Sequence, residues 1–203
     1  MENNLSPIDS GLLELYVLGV ASKEERRQVE ELAAKDKSIA AELEKISAAM
    51  EEYATAHAVT PTATIKPMLL ATIDYMERLK KGEAPSQPPL LHKNSTIADY
   101  DEWLNRDDMH APEDVDEIFL KIIGYSPEVS TAIVWIKTMS PDEVHHDQYE
   151  SFLILEGTCD ITIGEEVHSL KRGDVLTIPL HANHNVKVTS QIPCKIILER
   201  KAA

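Results

Sequence analysis

The amino-acid sequence predicts an α + β protein of two parts, a small helical bundle followed by a β-barrel or sandwich. Three observations support this. Apolar residues recur at helical spacing through residues 5–82. A proline-rich segment, GEAPSQPP, follows and is typical of a linker. Beyond it, short apolar runs separated by glycine turns predict strands. We therefore expect a helical domain at residues 1–82, a linker at 83–96 and a β domain at 97–203.

The helical part begins with two short elements. Ile8, Leu12 and Leu15 trace one apolar face at helical spacing, which predicts the first helix. Ser22 and Glu25 have the spacing of a capping box, in which each side chain bonds the backbone N–H of the other residue. This pattern predicts that a second helix begins at Ser22.

Two longer helices are expected next. The third begins at Asp36 or Ser38 and ends before Thr60-Pro61. Its apolar residues alternate steps of four and three, which is typical of a packing seam; they are Ile39, Leu43, Ile46, Met50 and Tyr53. The fourth helix is predicted from apolar residues at similar spacing, namely Leu69, Ile73, Met76 and Leu79. No face is wide enough to be buried all round, so a small bundle or a pair of packed hairpins is expected.

The β domain is predicted from eight apolar runs. They span residues 118–125, 131–139, 151–155, 159–163, 167–170, 175–178, 186–189 and 195–199. Short strands at this spacing indicate a sandwich or a barrel. A short helix at residues 97–104 precedes them, and its Tyr100 and Trp103 are expected to dock on the barrel.

The charge balance argues against a nucleic-acid or anionic-membrane partner. The chain has 20 Lys and Arg against 35 Asp and Glu, a formal net charge of −15. A nucleic-acid surface needs basic patches, and an anionic membrane repels an acidic protein.

No long apolar run is present, and the start MENNLSPIDS resembles no signal peptide. The two cysteines make no disulfide framework. We expect a cytoplasmic protein.

The stretch from residue 141 to residue 185 contains six side chains that could bind a metal. They are Glu143, His145, His146, Glu150, His181 and His184. In a strand, residues two apart point to the same side and adjacent residues to opposite sides. Glu143 and His145 can therefore face one cavity, whereas His145 and His146 cannot do so unless the strand is bulged. Glu150 fits the start of a returning strand, and His184 fits the end of a much later one.

The spacing of these residues resembles the two motifs of the cupin family. The first motif is Glu143-x-His145-x4-Glu150-x6-Gly157, and the second is Gly173-x5-Pro179-x-His181-x2-His184. Glu143 stands where the family usually has histidine, and His181 where it has glycine. The resemblance implies a cupin barrel, a double-stranded β-helix or jelly roll.

The same resemblance implies a set of metal ligands. His145, Glu150 and His184 would bind the ion, and Glu143 is expected as the fourth ligand. His146 is an alternative to His145, because the first motif also occurs with a shorter spacer. His181 is expected beside the site or on the surface. Imidazole and carboxylate groups suit Zn, Fe, Mn, Ni or Cu. We expect a divalent metal ion, zinc first, with iron, manganese or nickel as alternatives.

The helical part resembles the N-terminal domain of anti-sigma factors. This resemblance rests on the segment GLLELYVLG, which begins at Gly11, on the capping box, and on the seam of the third helix. A helical domain, a proline-rich linker and a cupin in this order resemble ChrR-like anti-sigma factors. The zinc-containing subgroup has a His and a Cys-x-x-Cys in its helices, whereas residues 1–82 contain no cysteine and only His57. No zinc site is therefore expected there.

The second resemblance implies a regulatory protein that holds a sigma factor away from RNA polymerase while its metal-binding cupin senses a signal. Apolar residues of the first and fourth helices are expected to contact the sigma factor; they are Leu12, Tyr16, Leu69 and Ile73. Alternatively, these residues only close the bundle or a homodimer. Pairing of two barrels through their strands is also left open.

A metal-dependent enzyme is the second functional hypothesis. Two histidines and a carboxylate with open metal positions suit a dioxygenase or an isomerase. Arg106 and Arg172 are the only arginines between the linker and Arg200, and neither lies within a ligand motif. The sequence shows no substrate anchor, so we expect regulation rather than catalysis.

Overall fold

The structure is a computed structural model that describes residues 6, 8–114 and 116–203. The chain divides into two compact units, Met1–Thr60 and Pro61–Ala203. The predicted helical part begins at residue 5, and residues 5 and 7 lie outside the described part. Within the described ranges, no helix is long and apolar enough to cross a membrane.

The first unit is helical, and its caps follow the predicted pattern. Its described helices are α1 (Leu12–Val17), α2 (Lys23–Lys35) and α3 (Lys37–Ala56). The capping box is confirmed: the Ser22 hydroxyl accepts the N–H of Glu25 at 3.3 Å, and the Glu25 carboxylate accepts the N–H of Ser22 at 2.8 Å. The Asp36 carboxylate accepts the N–H of Ser38 at 2.8 Å. These bonds pair N–H groups that the first turn of a helix leaves without an intrahelical partner.

A small apolar core joins the three helices. Each helix contributes one buried side chain: Leu13, Val29 and Ile39. Leu43 and Ile46 of the predicted seam pack against this core, but Tyr53 is 66% exposed. The seam is confirmed only in the first half of α3. Helix α3 has 20 residues and α2 has 13, so α2 is too short to cover the second half.

The second unit is built on strands that match the eight predicted runs. In the described residues they are β1 (Ile118–Tyr125), β2 (Val129–Ile136), β3 (Gln148–Glu156), β4 (Thr158–Ile163), β5 (Glu166–Lys171), β6 (Val175–Ile178), β7 (His184–Val188) and β8 (Cys194–Ala202). They form a five-stranded sheet, β1-β2-β8-β3-β6, and a three-stranded sheet, β5-β4-β7, with antiparallel neighbours. Gly164 makes the turn between β4 and β5 with a φ of 60°, a left-handed conformation that glycine adopts readily.

The five-stranded sheet is apolar on both faces. In β8, Ile196 lies in the core shared with the three-stranded sheet, and Ile197 lies in a second core on the opposite face. Tyr100 and Trp103 cover this second core, as predicted. They come from a 3-10 turn, Ile97–Tyr100, and from α5, Asp101–Leu104.

Helix α4 (Ile65–Lys80) belongs to the second unit, although the predicted domain boundary lies at residue 82. Ala71 and Tyr75 are buried in the core that contains β1. Of the apolar residues that predict this helix, Leu79 packs against the same core, whereas Leu69 and Ile73 lie on another side and are 58% and 46% exposed. The compact units divide at Thr60 because α4 packs on the sheet.

The proline-rich segment after α4 is tied to the second unit. Its composition predicts a linker too polar to pack, but the structure gives its polar groups specific partners. The Glu83 carboxylate accepts hydrogen bonds from Arg78 at 2.7 Å and from Arg106 at 2.8 Å. The N–H of Leu91 donates to the buried carboxylate of Glu199 at 2.9 Å. The segment therefore forms a strap along the β domain.

Candidate metal centre

The four predicted ligands come from the loop before β3, from β3 itself and from the start of β7. Glu143 and His184 face each other across an isolated antiparallel bridge. In this bridge the N–H of each residue donates to the carbonyl of the other, at 2.9 and 3.0 Å. His145 follows two residues after Glu143, and Glu150 lies in β3. The bridge thus holds the start of β7 beside the loop.

The four side chains form one cluster. Nε2 of His184 is 2.8 Å from Oε2 of Glu150. Nε2 of His145 is 3.6 Å from the same oxygen and 3.6 Å from Oε2 of Glu143. One ligand atom from each residue lies within 4.8 Å of the others. The structure therefore brings together all four residues that the motifs singled out.

The chemistry of the cluster fits a metal ion. Two imidazole nitrogens and two carboxylates are ligands that zinc and iron accept. Nε2 of His145 is buried and has no hydrogen-bond partner among the described residues. A buried polar atom without a partner is unfavourable. An ion held by the cluster would provide that partner, and metal binding by these residues stays a prediction.

Backbone contacts orient His184. Its Nδ1 lies 3.2 Å from the carbonyl oxygen of Ala182, so Nδ1 donates there and Nε2 faces Glu150. Burial lowers the pKa of His184, but the hydrogen bonds with Glu150 and with the Ala182 carbonyl outweigh it and raise the pKa above its ordinary value. The imidazole Nε2 and the Glu150 carboxylate lie at hydrogen-bond distance, and a metal ion bound by both would take the place of the shared proton.

Glu150 is the most buried carboxylate of the cluster, with 2% of its surface exposed. Burial alone would raise its pKa. The imidazoles of His145 and His184 and the charge of Arg200 outweigh burial and hold the pKa of Glu150 well below its ordinary range. The carboxylate is therefore ionised at neutral pH, as a metal ligand must be.

Arg200 also contacts the site, although neither ligand motif contains it. Its Nε donates to Oε1 of Glu150 at 2.8 Å, and its Nη2 donates to Oε2 of Glu143 at 3.0 Å. The alternation of side chains along β8 indicates that Arg200 points toward the interior. Ile196, Leu198 and Arg200 point to the same side of the strand, and the first two are apolar.

A small cavity of about 50 Å³ adjoins the cluster. Glu143, Glu150, His184 and Arg200 form its polar end, and Thr64, just before α4, and Met68 of α4 also line it. Much of the remaining wall is apolar, including Ile118, Leu120, Val134, Ile136, Phe152 and Ile196. A single buried water needs roughly 10–15 Å³. The cavity therefore suits an ion with a few waters, or a ligand of a few atoms.

His146 and His181 lie outside the four-residue cluster. Their Nδ1 atoms are 2.8 Å apart, and both residues are exposed. The structure thus places His145 in the cluster and gives its neighbour His146 a different partner, although both lie in the loop before β3. His181 has a φ of 62°, in the left-handed region that favours glycine. Glycine, which the cupin motif usually has at that position, adopts this conformation more readily.

A comparison with models of known protein families assigns the region that contains the ligand cluster to a family. Residues 132–198 match the family model described as a cupin domain. The chain contains a cupin domain. The predicted fold class, helices followed by a cupin barrel, is thereby confirmed. The matched region includes all four predicted ligands and ends before Arg200.

Three solved structures are similar to part of this chain. The cupin domain of Cnp3 from Schizosaccharomyces pombe is 14% identical, with a TM-score of 0.42 over 44% of this chain and 67% of that one. KdgF from Halomonas sp. is 19% identical, with a TM-score of 0.42 over 47% and 90% of the two chains. A predicted oxalate decarboxylase from Thermotoga maritima is 14% identical, with a TM-score of 0.40 over 42% and 81%. A comparison with curated protein sequences found no match.

Proposed function

We propose that this chain is a cytoplasmic regulator of transcription that acts as an anti-sigma factor. Its helices bind a sigma factor, and its cupin domain binds a divalent metal ion and senses a signal. The ligands are Glu143, His145, Glu150 and His184, and zinc is the first candidate ion, before iron, manganese and nickel. The observation that carries the proposal is a second apolar face on α4.

Helix α4 presents apolar side chains on two sides. Ala71 and Tyr75 are buried against the sheet. Leu69, Ile73 and Met76, on the other side, are 58%, 46% and 51% exposed. Exposed apolar residues that lie one turn apart form a strip suited to a protein partner. We call these three residues the outer strip of α4.

The same helix also reaches the candidate metal site. Thr64 and Met68 line the cavity together with Glu150 and His184. A ligand shifts a conformational equilibrium only if it binds the two conformations with different affinity. An ion or small molecule that contacts α4 in the cavity can meet this condition, because the helix forms part of the cavity wall. Helix α4 therefore connects the site with the outer strip.

The first unit offers a further apolar surface. Leu15, Leu18 and Val20 are 42%, 55% and 68% exposed. Leu12 and Tyr16, which the sequence singled out as contact residues, are instead partly buried against the core of the unit. The net charge of −15 suits a partner with basic surfaces. Proteins that bind DNA carry such surfaces.

Binding of the purified chain to each sigma factor of its host tests the proposal. We expect one of them to bind at micromolar concentration or tighter. Leu69→Glu combined with Ile73→Glu places charge on the outer strip and should weaken binding at least about tenfold. Val167→Glu is the matched control, because Val167 is 61% exposed but lies in β5. This control should bind like the wild-type protein.

Two results would count against the proposal. If no host sigma factor binds at micromolar concentration, the anti-sigma function is abandoned. If the double variant at Leu69 and Ile73 binds as tightly as the Val167→Glu control, the outer strip is not the contact surface. Thermal unfolding of both variants should match the wild-type protein, because the three side chains are exposed.

A metal-dependent enzyme, of the dioxygenase or isomerase type acting on a small molecule, is the second candidate. The cavity beside the cluster favours it, because the cavity has room for a ligand of a few atoms. Oxygen uptake and product formation by iron-loaded protein, with a panel of small molecules, would test it. Turnover that is lost in His184→Ala would favour catalysis over regulation.

A further inference from the structure

Arg200 contacts both carboxylates of the candidate metal site. It lies near the end of β8, opposite Glu150 of β3. Its Nε donates to Glu150 at 2.8 Å and its Nη2 to Glu143 at 3.0 Å. The Arg200 side chain is only 18% exposed. A guanidinium stays protonated in proteins, so the site holds a permanent, partly buried positive charge.

Arg200 and a metal ion require the same carboxylates. Arg200 occupies Oε2 of Glu143, which is also the oxygen 3.6 Å from Nε2 of His145. It occupies Oε1 of Glu150, whereas Oε2 of Glu150 faces His184. The guanidinium offsets the repulsion between the two carboxylates. It also repels a divalent cation beside them, and partial burial limits the screening of that repulsion.

We propose that Arg200 is a built-in counter-cation of the metal site, which stabilises the metal-free protein and weakens metal binding. This role rests on the metal binding proposed above. It also gives a reason for Glu143, a carboxylate where cupin motifs usually have histidine, because Glu143 supplies the second partner of the guanidinium. A site with such a competitor releases its ion more readily than the same site without it, which suits reversible sensing.

Arg200→Gln and Arg200→Lys separate the effect of charge from that of hydrogen bonding. Glutamine keeps a donor and removes the charge, whereas lysine keeps the charge and loses the planar fork. Competition with a chromophoric chelator gives the zinc affinity, and thermal unfolding gives the stability of the metal-free protein. We expect Arg200→Gln to bind zinc at least about tenfold more tightly and to unfold at a lower temperature without metal. Arg200→Lys should stay within about threefold of the wild-type affinity.

Several outcomes would overturn this role. Equal or weaker zinc binding by Arg200→Gln would mean that Arg200 orients the ligands instead of competing with the ion. A similar gain in zinc affinity in Arg200→Gln and Arg200→Lys would show that the charge of Arg200 does not weaken zinc binding. If Arg200→Gln folds only with metal, refolding with zinc followed by chelator competition still gives its affinity. If the wild-type protein binds no zinc, the proposed metal site is wrong. If metal-free Arg200→Gln unfolds at the same temperature as the metal-free wild-type protein, Arg200 does not stabilise the metal-free site.

Discussion

The two compact units bury apolar side chains to very different extents. In the first unit, one side chain from each helix forms the buried core, while Leu18 and Val20 are more than half exposed. In the second unit, both faces of the five-stranded sheet are covered. A small core leaves apolar surface for a partner, whereas a doubly covered sheet can hold side chains in fixed positions. The ligand cluster lies in the second unit, beside the doubly covered sheet.

The largest effect is expected from truncating the core of the cupin domain. Leu153 has no exposed surface and packs in the same core as Trp103. Leu153→Ala should lower the free energy of unfolding by about 2–5 kcal/mol, through lost burial and the cavity left behind. Both tryptophans, Trp103 and Trp135, lie in the second unit, so tryptophan fluorescence during urea unfolding measures this effect.

Leu13→Ala is the matched control, because Leu13 is equally buried but lies in the core of the first unit. In this variant, part of the helical signal in far-ultraviolet circular dichroism should be lost at a lower urea concentration than in the wild-type protein. The urea concentration of the tryptophan transition should not change. A tryptophan transition that moves by the same amount as in Leu153→Ala would show that the two units unfold together, contrary to this comparison.

A smaller effect is expected in the strap that follows α4. Glu83 is 17% exposed and pairs with Arg78 and Arg106. Glu83→Gln should cost about 1–2 kcal/mol, because it removes one charge from a partly buried network. Urea unfolding followed by tryptophan fluorescence measures the loss. Glu165→Gln, in the exposed turn between β4 and β5, is the control and should cost less.

The Glu83 network also predicts a pH dependence. The hydrogen bond from Arg106 lowers the pKa of Glu83 and, together with Arg78, outweighs the opposing effect of burial. A lowered pKa in the folded state stabilises the protein above the ordinary pKa, and this contribution is lost as the pH falls through the lowered value. The difference between wild-type protein and Glu83→Gln should be constant from about pH 5 to 7 and shrink below about pH 4.5. A difference that grows in acid would refute this assignment.

The smallest effect is expected at the start of α2. Ser22→Ala removes the hydroxyl that accepts the N–H of Glu25 and should cost the first unit up to about 1 kcal/mol. The helical circular dichroism signal should respond, and tryptophan fluorescence should not. Ser47→Ala, at an exposed position within α3, is the control and should be neutral or slightly stabilising, because alanine is the better helix former. Equal losses in the two variants would argue against the capping box.

The strands were predictable from short-range patterns, and the ligand cluster from its resemblance to the two cupin motifs. A period of two between glycine turns predicts strands. The spacing of Glu143, His145 and Glu150 lets the first two face one cavity and puts Glu150 at the start of the returning strand. His184 fits the end of a later strand, and its resemblance to the second cupin motif singles it out as a ligand. The structure confirms that all four meet, since their ligand atoms lie within 4.8 Å of one another.

The packing side of α4 and the role of Arg200 were not predictable in the same way. Helix α4 has apolar residues on two sides, and periodicity does not tell whether Leu69 or Ala71 meets the sheet. Arg200 lies 50 residues from Glu150 and 57 from Glu143, outside both motifs. Such pairings depend on strand register, which the local sequence does not specify.

Titration of the metal-free protein with zinc tests the metal site most directly. We predict one bound ion per chain, and a gain in unfolding free energy of about 2.7 kcal/mol when free zinc is 100 times the dissociation constant. His184→Ala should lose this binding, whereas His146→Ala, whose side chain lies outside the cluster, should keep it. Absence of saturable binding, or equal affinity in His184→Ala and His146→Ala, would contradict a metal site formed by Glu143, His145, Glu150 and His184.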